Sequence, residues 1–372
     1  MKVLHVYRTY FPDTQGGVQE VVRQVSLATS NLGVTNRIFT PSPNPVPQII
    51  EHPEGEIHRV KLNFEVASCG FCFTGIPEFK RQVAWADIVH YHFPWPFADI
   101  MHFVAKVSKP TIVTYHSDIV RQRIILPLYT PLMNRFLRKV NRVVCTSPNY
   151  LASSVTLSNL RKPCGIIPIG LDRNSYPKPN RDDLNRVEDQ YGNNFFLFVG
   201  LLRYYKGLHT LIEAAQFTDQ KIIIVGSGPI EEELEKQAKE LGVKNIIFTG
   251  YVSDLEKMAL IQLSRALVFP SHLRSEAFGV TLLEGAMNAK PLITAEVGTG
   301  TSYVNSHGET GIVVSPENAD ALAEAINELA DDSDLVRKLG AGSLTRFESL
   351  FTSTQMANAY LHEYEHLLAT KS

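Results

Sequence analysis

Short apolar runs alternate with helix-length segments along nearly the whole chain, and few folds accept that rhythm. The runs lie at residues 2–7, 35–40, 57–61, 88–92, 111–115, 142–146 and 165–169, then at 195–199, 221–225, 246–249, 267–270, 291–294 and 311–314. Runs this short and this apolar suit strands buried on both faces of a parallel sheet. The segments between them carry helical periodicity. Ile230, Leu234, Ala238 and Leu241 mark one face, with three glutamates in the first turn, where the helix dipole favours anions. Ala319, Leu322, Ala323, Ile326 and Leu329 mark another, with Asn318 placed to cap it. The alternation predicts an α/β protein with parallel sheets. Residues 172–192 break the rhythm: they are polar, carry Pro177 and Pro179, and read as a linker. The chain therefore divides into a first α/β domain over 1–170, a linker over 171–192 and a second, similar domain over 193–353, with a cleft between them. Ligands in such folds bind at the carboxyl ends of the strands, so the loops after strands are where chemistry is expected.

The 372 residues suffice for two domains, and 44% hydrophobic against 20% charged content supports a core in each. A net charge of −2 argues against general nucleic-acid binding. No stretch approaches the roughly 20 apolar residues of a membrane span. The opening residues 1–7 read as a first buried strand and not as a signal peptide. Cys69, Cys72, Cys145 and Cys164 suit a reducing cytoplasm. The Cys69-Gly-Phe-Cys72 spacing resembles a redox or zinc half-site, but no second pair follows, and Gly70, Gly75 and Pro77 crowd it into a loop.

The most informative residues are Glu276 and Glu284, in the run Ser-Glu-Ala-Phe-Gly-Val-Thr-Leu-Leu-Glu-Gly after the strand at 267–270. Glu284 falls in a helix and Glu276 on the loop before it, beside Phe278-Gly279. A helix N-terminus offers unpaired N–H groups to an anion, and glycine permits close approach. Carboxylates on either side of such a site suit a ligand with hydroxyls at both ends and phosphate in the middle, as in a nucleotide-sugar. The alternative is a pair of solvated glutamates. The paired Gly16-Gly17 follows the first strand and permits the same approach, or makes a plain turn. After the strand at 195–199 come Arg203 and Lys206, a bidentate donor and a point charge able to neutralise a diphosphate. His116 ends one strand, and His90 and His92 end the one before it. The three could form a metal site or be satisfied polar groups, but no carboxylate completes a triad. His116 is expected beside a reacting sugar as a hydrogen-bond donor. Gly226-Ser-Gly-Pro starts like a dinucleotide fingerprint but lacks the third glycine, which leaves an NAD oxidoreductase last among the alternatives.

From Ile119 to Leu171 there is no Asp or Glu, while Arg121, Arg123, Arg135, Arg138, Lys139, Arg142, Arg161 and Lys162 accumulate. The span Arg121–Arg142 encloses a mostly apolar segment with Tyr129, Met133 and Phe136. It reads either as a basic amphipathic helix that meets anionic lipid or as a core helix with a solvated basic side.

In this order the motifs resemble glycosyltransferase family 4, retaining enzymes with two facing Rossmann-like domains, the GT-B fold. The likeness runs from Gly16-Gly17 through His116, Lys206-Gly207, Gly226-Ser-Gly-Pro and Glu276-x7-Glu284 to Gly298-Thr-Gly300-Thr and Thr310-Gly311. The Tyr-His-Ser-Asp and Gly-Thr-Gly-Thr-Ser-Tyr-Val-Asn runs look like bacterial mannosyltransferases of lipopolysaccharide O-antigen assembly. The resemblance implies that Glu276 holds donor-sugar hydroxyls and Glu284 the ribose. It implies that Ala277, Phe278, Gly279, Val280 and Thr281 face the phosphates, Tyr251 and Val252 border the base, and Lys206 holds the diphosphate. Gly16, Gly17 and Gly226 fall to the donor site, His116 to the transferred sugar, and a terminal helix near 354–372 to the first domain. The family's usual Arg after the strand-ending glycine is replaced by Leu201, and the basic residue comes two positions later, as Arg203.

Transfer with retention is then expected, with the leaving phosphate taking the acceptor hydroxyl's proton and no metal or other cofactor required. GDP-mannose is the expected donor, a polyprenyl-diphosphate-linked glycan the acceptor, and the inner face of the cytoplasmic membrane the place, through Arg121–Arg142. The rivals are a UDP-sugar donor, a nucleotide-sugar 2-epimerase and a non-catalytic sugar-nucleotide-binding subunit.

Overall fold

The structure, a computed structural model, describes residues 1–119 and 125–370. Arg121 and Arg123 of the basic stretch, and residues 371 and 372 of the expected terminal helix, lie outside them. The chain divides into two compact units. The first comprises Met1–Gly170 and the segment from Ser353 onward, and the second is Leu171–Thr352. Each is built on a sheet with helices packed on it.

The first sheet uses β1 (Lys2–Val6), β2 (Thr35–Ser42), β3 (Ile49–His52), β4 (Gly55–Lys61), β7 (Ile88–Phe93), β8 (Thr111–Tyr115), β9 (Arg142–Cys145) and β10 (Cys164–Ile166), while β5 (Phe64–Val66) and β6 (Cys69–Phe71) form a separate ribbon. The strand order is β10-β9-β8-β7-β1-β2-β4-β3, parallel except for the antiparallel β3–β4 edge. The second sheet uses β11 (Phe196–Val199), β12 (Ile222–Val225), β13 (Ile246–Gly250), β14 (Ala266–Phe269), β15 (Leu292–Ala295) and β16 (Gly311–Val314). Its order is β13-β12-β11-β14-β15-β16, wholly parallel, with the order reversing beside β11. The central strands β11, β12, β14 and β15 are buried along their whole length, as their continuous apolar sequences require.

Two readings need correction. Residues 172–192 are not an extended linker: they hold the helix Arg181–Tyr191 and belong to the second unit. Its charged sequence hides a capping box, in which Asn180 and Asp183 bond each other's backbone N–H, and a buried stripe of Val187 and Tyr191. The segment around Cys69 is not a loop but the strand β6, paired with β5. Burial pushes the Cys69 and Cys72 thiols up to about 11 and about 12, the reverse of a reactive thiolate.

Candidate functional site

In the second unit β14 ends at Phe269, and the loop that follows carries Ser271 and Glu276. Beside it, the chain leaves β11 into a single 3-10 turn, Tyr204–Lys206. Gly207 closes that turn with φ of 70°, and a Cβ there would lie 2.1 Å from the Pro270 carbonyl oxygen. Only glycine lets the turn sit this close to the strand end. The close approach brings Lys206 Nζ to 2.5 Å from Glu276 Oε2, with both side chains buried. The ammonium also lies 4.3 Å over the Phe269 ring, and Ser271 Oγ donates to the same carboxylate oxygen at 3.4 Å. Burial alone would lower the lysine's pKa, but the charge of Glu276, its hydrogen bond to the ammonium and the nearby Tyr205 together outweigh it and hold the pKa above the usual value.

Gly279, with φ of 90°, precedes the helix Val280–Met287 and supplies no side-chain cap. The first N–H groups of a helix have no partners within it, so Val280 and Thr281 present donors at the start of this helix, a few residues after Glu276. Ala277 and Phe278 are tied back: the Ala277 carbonyl accepts from Gly300 N–H at 2.8 Å, and Phe278 is buried edge-on to Phe351. Glu284, on the same helix, is buried and 2.9 Å from Lys257 Nζ, which also reaches Asp254 at 3.0 Å. Burial pulls Lys257 down, yet Glu284 and Asp254 together raise its pKa. Each glutamate of the motif thus has a lysine counter-charge.

The structure brings the expected residues together unevenly. Arg203 caps the 3-10 turn in extended backbone and is exposed, and its charge acts against the ammonium of Lys206. Tyr251 is exposed and Val252 half-buried after β13. Gly226, with φ of 123°, has a packing reason of its own, since a Cβ there would lie 2.0 Å from the Gly200 carbonyl oxygen. In the first unit Gly16 is the N-cap of the helix Gly17–Ser30, in extended backbone. Its loop is pinned by Gln19, which donates to Thr9 at 2.9 Å and to Thr14 at 3.1 Å.

His116 ends a hydrogen-bonded line of imidazoles. In the parallel sheet His5 stands opposite His90, and His92 opposite Thr114, so the two-residue period puts Asn36, His5, His90, His92, Thr114 and His116 on one face. His116 Nε2 is 3.0 Å from His92 Nδ1, His92 Nε2 is 3.0 Å from His5 Nδ1, and His5 Nε2 is 3.1 Å from Asn36 Oδ1. Asn36 fixes the direction of the line. Its amide nitrogen donates to the Ser26 carbonyl at 2.8 Å, so the oxygen faces His5 and can only accept. His5 therefore donates from Nε2 and accepts at Nδ1, His92 does the same, and His116 donates from Nε2. Burial pushes His5 down to about 4 and His116 to about 3, and holds His90 and His92 well below the usual value, so the line is neutral at pH 7. His116 Nδ1 then carries a lone pair. The expected donor is an acceptor at that atom. His90 is satisfied separately, by Tyr364 at 2.8 Å and Thr114 at 2.7 Å, and Thr114 meets Tyr360 at 2.7 Å. Both tyrosines come from the helix Ser353–Ala369.

Sequence reasoning missed His5, Asn36, Lys257, Tyr360 and Tyr364. A histidine inside the apolar strand β1 was a signal for the first. Lys257 follows Asp254 by three residues after the Ser253 cap, a spacing that shares one helix face.

Known proteins bear on this arrangement. The family described as "Glycosyltransferase Family 4" matches residues 15–175, and "Glycosyl transferases group 1" matches residues 180–344. The D-rhamnosyltransferase WbpZ of Pseudomonas aeruginosa is 47% identical over 95% of this chain and 93% of its own length. The O-antigen chain mannosyltransferase C of Escherichia coli is 44% identical over 100% of both chains. Among solved structures, a sucrose-phosphate synthase from Thermosynechococcus elongatus superposes with a TM-score of 0.82 over 99% of each chain at 22% identity, a likeness of fold. With relatives this similar along nearly its whole length and each half matched by a glycosyltransferase family model, the chain belongs to glycosyltransferase family 4 and is a GT-B glycosyltransferase.

Proposed function

We propose that the chain transfers mannose from GDP-mannose, with retention at the anomeric carbon, to a polyprenyl-diphosphate-linked glycan in O-antigen or related polysaccharide assembly. The observation that carries the donor side is the buried Lys206–Glu276 pair, whose glutamate lies on the loop leading into the helix Val280–Met287. Before donor arrives, Glu276 keeps Lys206 charged and aimed. A diphosphate then takes over the ammonium and the Val280 and Thr281 amides, and the Glu276 carboxylate turns to sugar hydroxyls. Glu284, held by Lys257, is placed for the ribose. As the anomeric carbon–phosphate bond breaks, the diphosphate takes the acceptor hydroxyl's proton, and the acceptor oxygen bonds the carbon on the same face. Lys206 and the helix amides stabilise the departing charge, work that a divalent ion does elsewhere. His116 accepts a hydrogen bond from a sugar hydroxyl through Nδ1.

The mannosyltransferase relative supports mannose. The D-rhamnosyltransferase relative favours a second reading, since D-rhamnose is mannose without its 6-hydroxyl. Calorimetry and product chromatography with GDP- and UDP-sugars, metal chelated, test both. Tight binding and slow hydrolysis of GDP-mannose are expected, preference for the 6-deoxy donor moves the assignment to the second reading, and preference for a UDP-sugar discards both.

For the membrane side, the helix Leu126–Lys139 buries Met133, Phe136 and Leu137 and exposes Leu128, Arg138 and Lys139. Among the described residues no helix is long and apolar enough to cross a membrane. Arg142 is engaged elsewhere, 2.6 Å from Glu363, so the contact rests on the helix itself. Co-sedimentation with anionic vesicles that is lost in Arg138→Glu/Lys139→Glu is the expected result, and equal binding to neutral vesicles rejects the contact.

A further inference from the structure

The geometry points to a transition-metal site on the flank of the second unit, built by His209, His272 and Glu317. One ligand atom from each lies within 4.8 Å of the other two. The residues come from three separate elements. His209 sits in the helix Leu208–Ala214, His272 in the loop after β14, and Glu317 immediately before the Asn318 cap of the helix Ala319–Asp331. The two helices pack on each other, so the ligands are held by rigid parts of the fold.

His272 is the observation that demands a partner. Its side chain is 1% exposed, and neither ring nitrogen has a hydrogen-bond partner among the described residues. A neutral imidazole always carries one N–H and one lone pair, and leaving either unmet in the interior is costly. Glu317 Oε1 is 3.9 Å from His272 Nε2, too far for a hydrogen bond. Around it the wall is aromatic: the His209 ring is edge-on at 5.0 Å and the Tyr204 ring at 4.8 Å. An anion is excluded by the glutamate, and protonation is opposed by the second imidazole alongside. A dication meets every term. It takes the lone pairs of two neutral imidazoles and the negative charge of one carboxylate.

Two nitrogens and one oxygen select zinc, cobalt, nickel or ferrous iron over magnesium or calcium, which prefer all-oxygen sets. Bonds of about 2.0–2.2 Å bring such ligands closer together than they stand now. Glu317 can supply that movement, because its side chain is 60% exposed. Its backbone is also unusual, with φ of 54°, a left-handed conformation that strains a non-glycine residue. Glycine would relieve that strain, but it could not ligate a metal.

The site does not enter the transfer chemistry. It fastens the turn that carries Lys206 to the loop that carries Glu276, a joint also made by the hydrogen bond from the His272 backbone N–H to the Tyr205 carbonyl at 3.1 Å and by the Lys206–Glu276 pair. Occupancy should therefore be read as binding and as heat stability.

The test uses the full chain, free of any affinity tag, stripped with chelator and titrated with Co²⁺ and Zn²⁺. One saturable equivalent is expected. Cobalt should give a visible absorption band of low-symmetry nitrogen–oxygen ligation, zinc should displace it, and zinc should raise the melting temperature. His209→Ala and Glu317→Gly should each weaken binding roughly 10-fold or more. Glu317→Gly should also raise the melting temperature of the stripped protein, since it relieves the strained backbone, while removing the rise caused by zinc. That opposite pair of shifts separates a lost ligand from a damaged fold. No saturable binding, or binding unchanged in both variants, overturns the site. So does binding abolished only by replacement of His5, which would place the metal on the first unit's histidine face.

Discussion

The two units bury polar groups in opposite ways. The first buries a face of neutral imidazoles, ordered by one asparagine and covered by two tyrosines, and the pKa values of His5 and His116 are pushed down. The second buries lysine–glutamate pairs, and the pKa values of Lys206 and Lys257 are raised. Neutral groups can be buried cheaply when every nitrogen is met, whereas buried charges need a partner at close range. The difference matches the tasks proposed for them. A diphosphate needs fixed positive charge, while a sugar hydroxyl needs an oriented lone pair and no charge to compete for it.

The largest effect should come from breaking the ionic side. Lys206→Ala is expected to lower transfer roughly 100- to 1,000-fold and to destabilise the second unit by about 3–5 kcal/mol, since Glu276 is left buried alone. Steady-state kinetics and thermal melting check both, and Lys206→Met/Glu276→Leu should recover stability without recovering turnover. Activity near the wild-type level in Lys206→Ala would remove the lysine from the proposed mechanism.

Acid and alkali should then separate the units. An unfolded histidine takes up its proton near pH 6.5, while His5 resists until about 4 and His116 until about 3. Between those values the unfolded chain binds more protons, so the stability of the first unit falls as pH drops below 6.5, by about 1.4 kcal/mol per pH unit for each such histidine. For Lys206 and Lys257 the sign reverses. Their contribution is complete below the unfolded lysine value of 10.5 and is lost as pH rises beyond it. Trp85 and Trp95 both lie in the first unit, so tryptophan fluorescence should change on acidification while the second unit, followed by hydrogen exchange, stays protected. Simultaneous acid loss of both units would break the contrast.

A smaller effect sharpens the neutral side. Asn36→Leu removes the acceptor that orients the histidine line, leaving each tautomer free to reverse. Turnover should fall by about 1 kcal/mol of barrier, roughly fivefold, with donor KM unchanged. Unchanged turnover would make the direction of the line irrelevant to catalysis. Arg203→Ala should matter least, within roughly threefold in donor KM, because the guanidinium is exposed and its charge is screened by solvent.

How far the sequence disclosed this protein follows from what each part is made of. Interior strands announced themselves because burial on both faces favours Val, Ile, Leu and Phe, and the run at 111–115 was placed to the residue; the half-buried edge strand at 311–314 was placed as well. The strands β3, β5 and β6 were missed, being short, antiparallel and mostly exposed or mixed in character. The helix Arg181–Tyr191 was missed because its stabilising signals are two polar caps and only two buried residues. In the site, Glu276 and Lys206 were legible, since a glycine-bounded turn and a glutamate before a helix are local patterns. Lys257, His5 and Asn36 were not, because their partners lie 27, 87 and 31 residues away and only sheet register or helix packing brings them together.

The helix Ser353–Ala369 has a consequence for how the protein is made. It belongs to the first unit but leaves the ribosome only after all of the second, so the second can fold to completion while the first still lacks the tyrosines that cover His90 and Thr114. Until then a row of histidines lies open in a nascent chain. That interval is when a chaperone, a protease or a stray metal ion has access to it, and it makes the quality of the first unit depend on translation continuing through this helix.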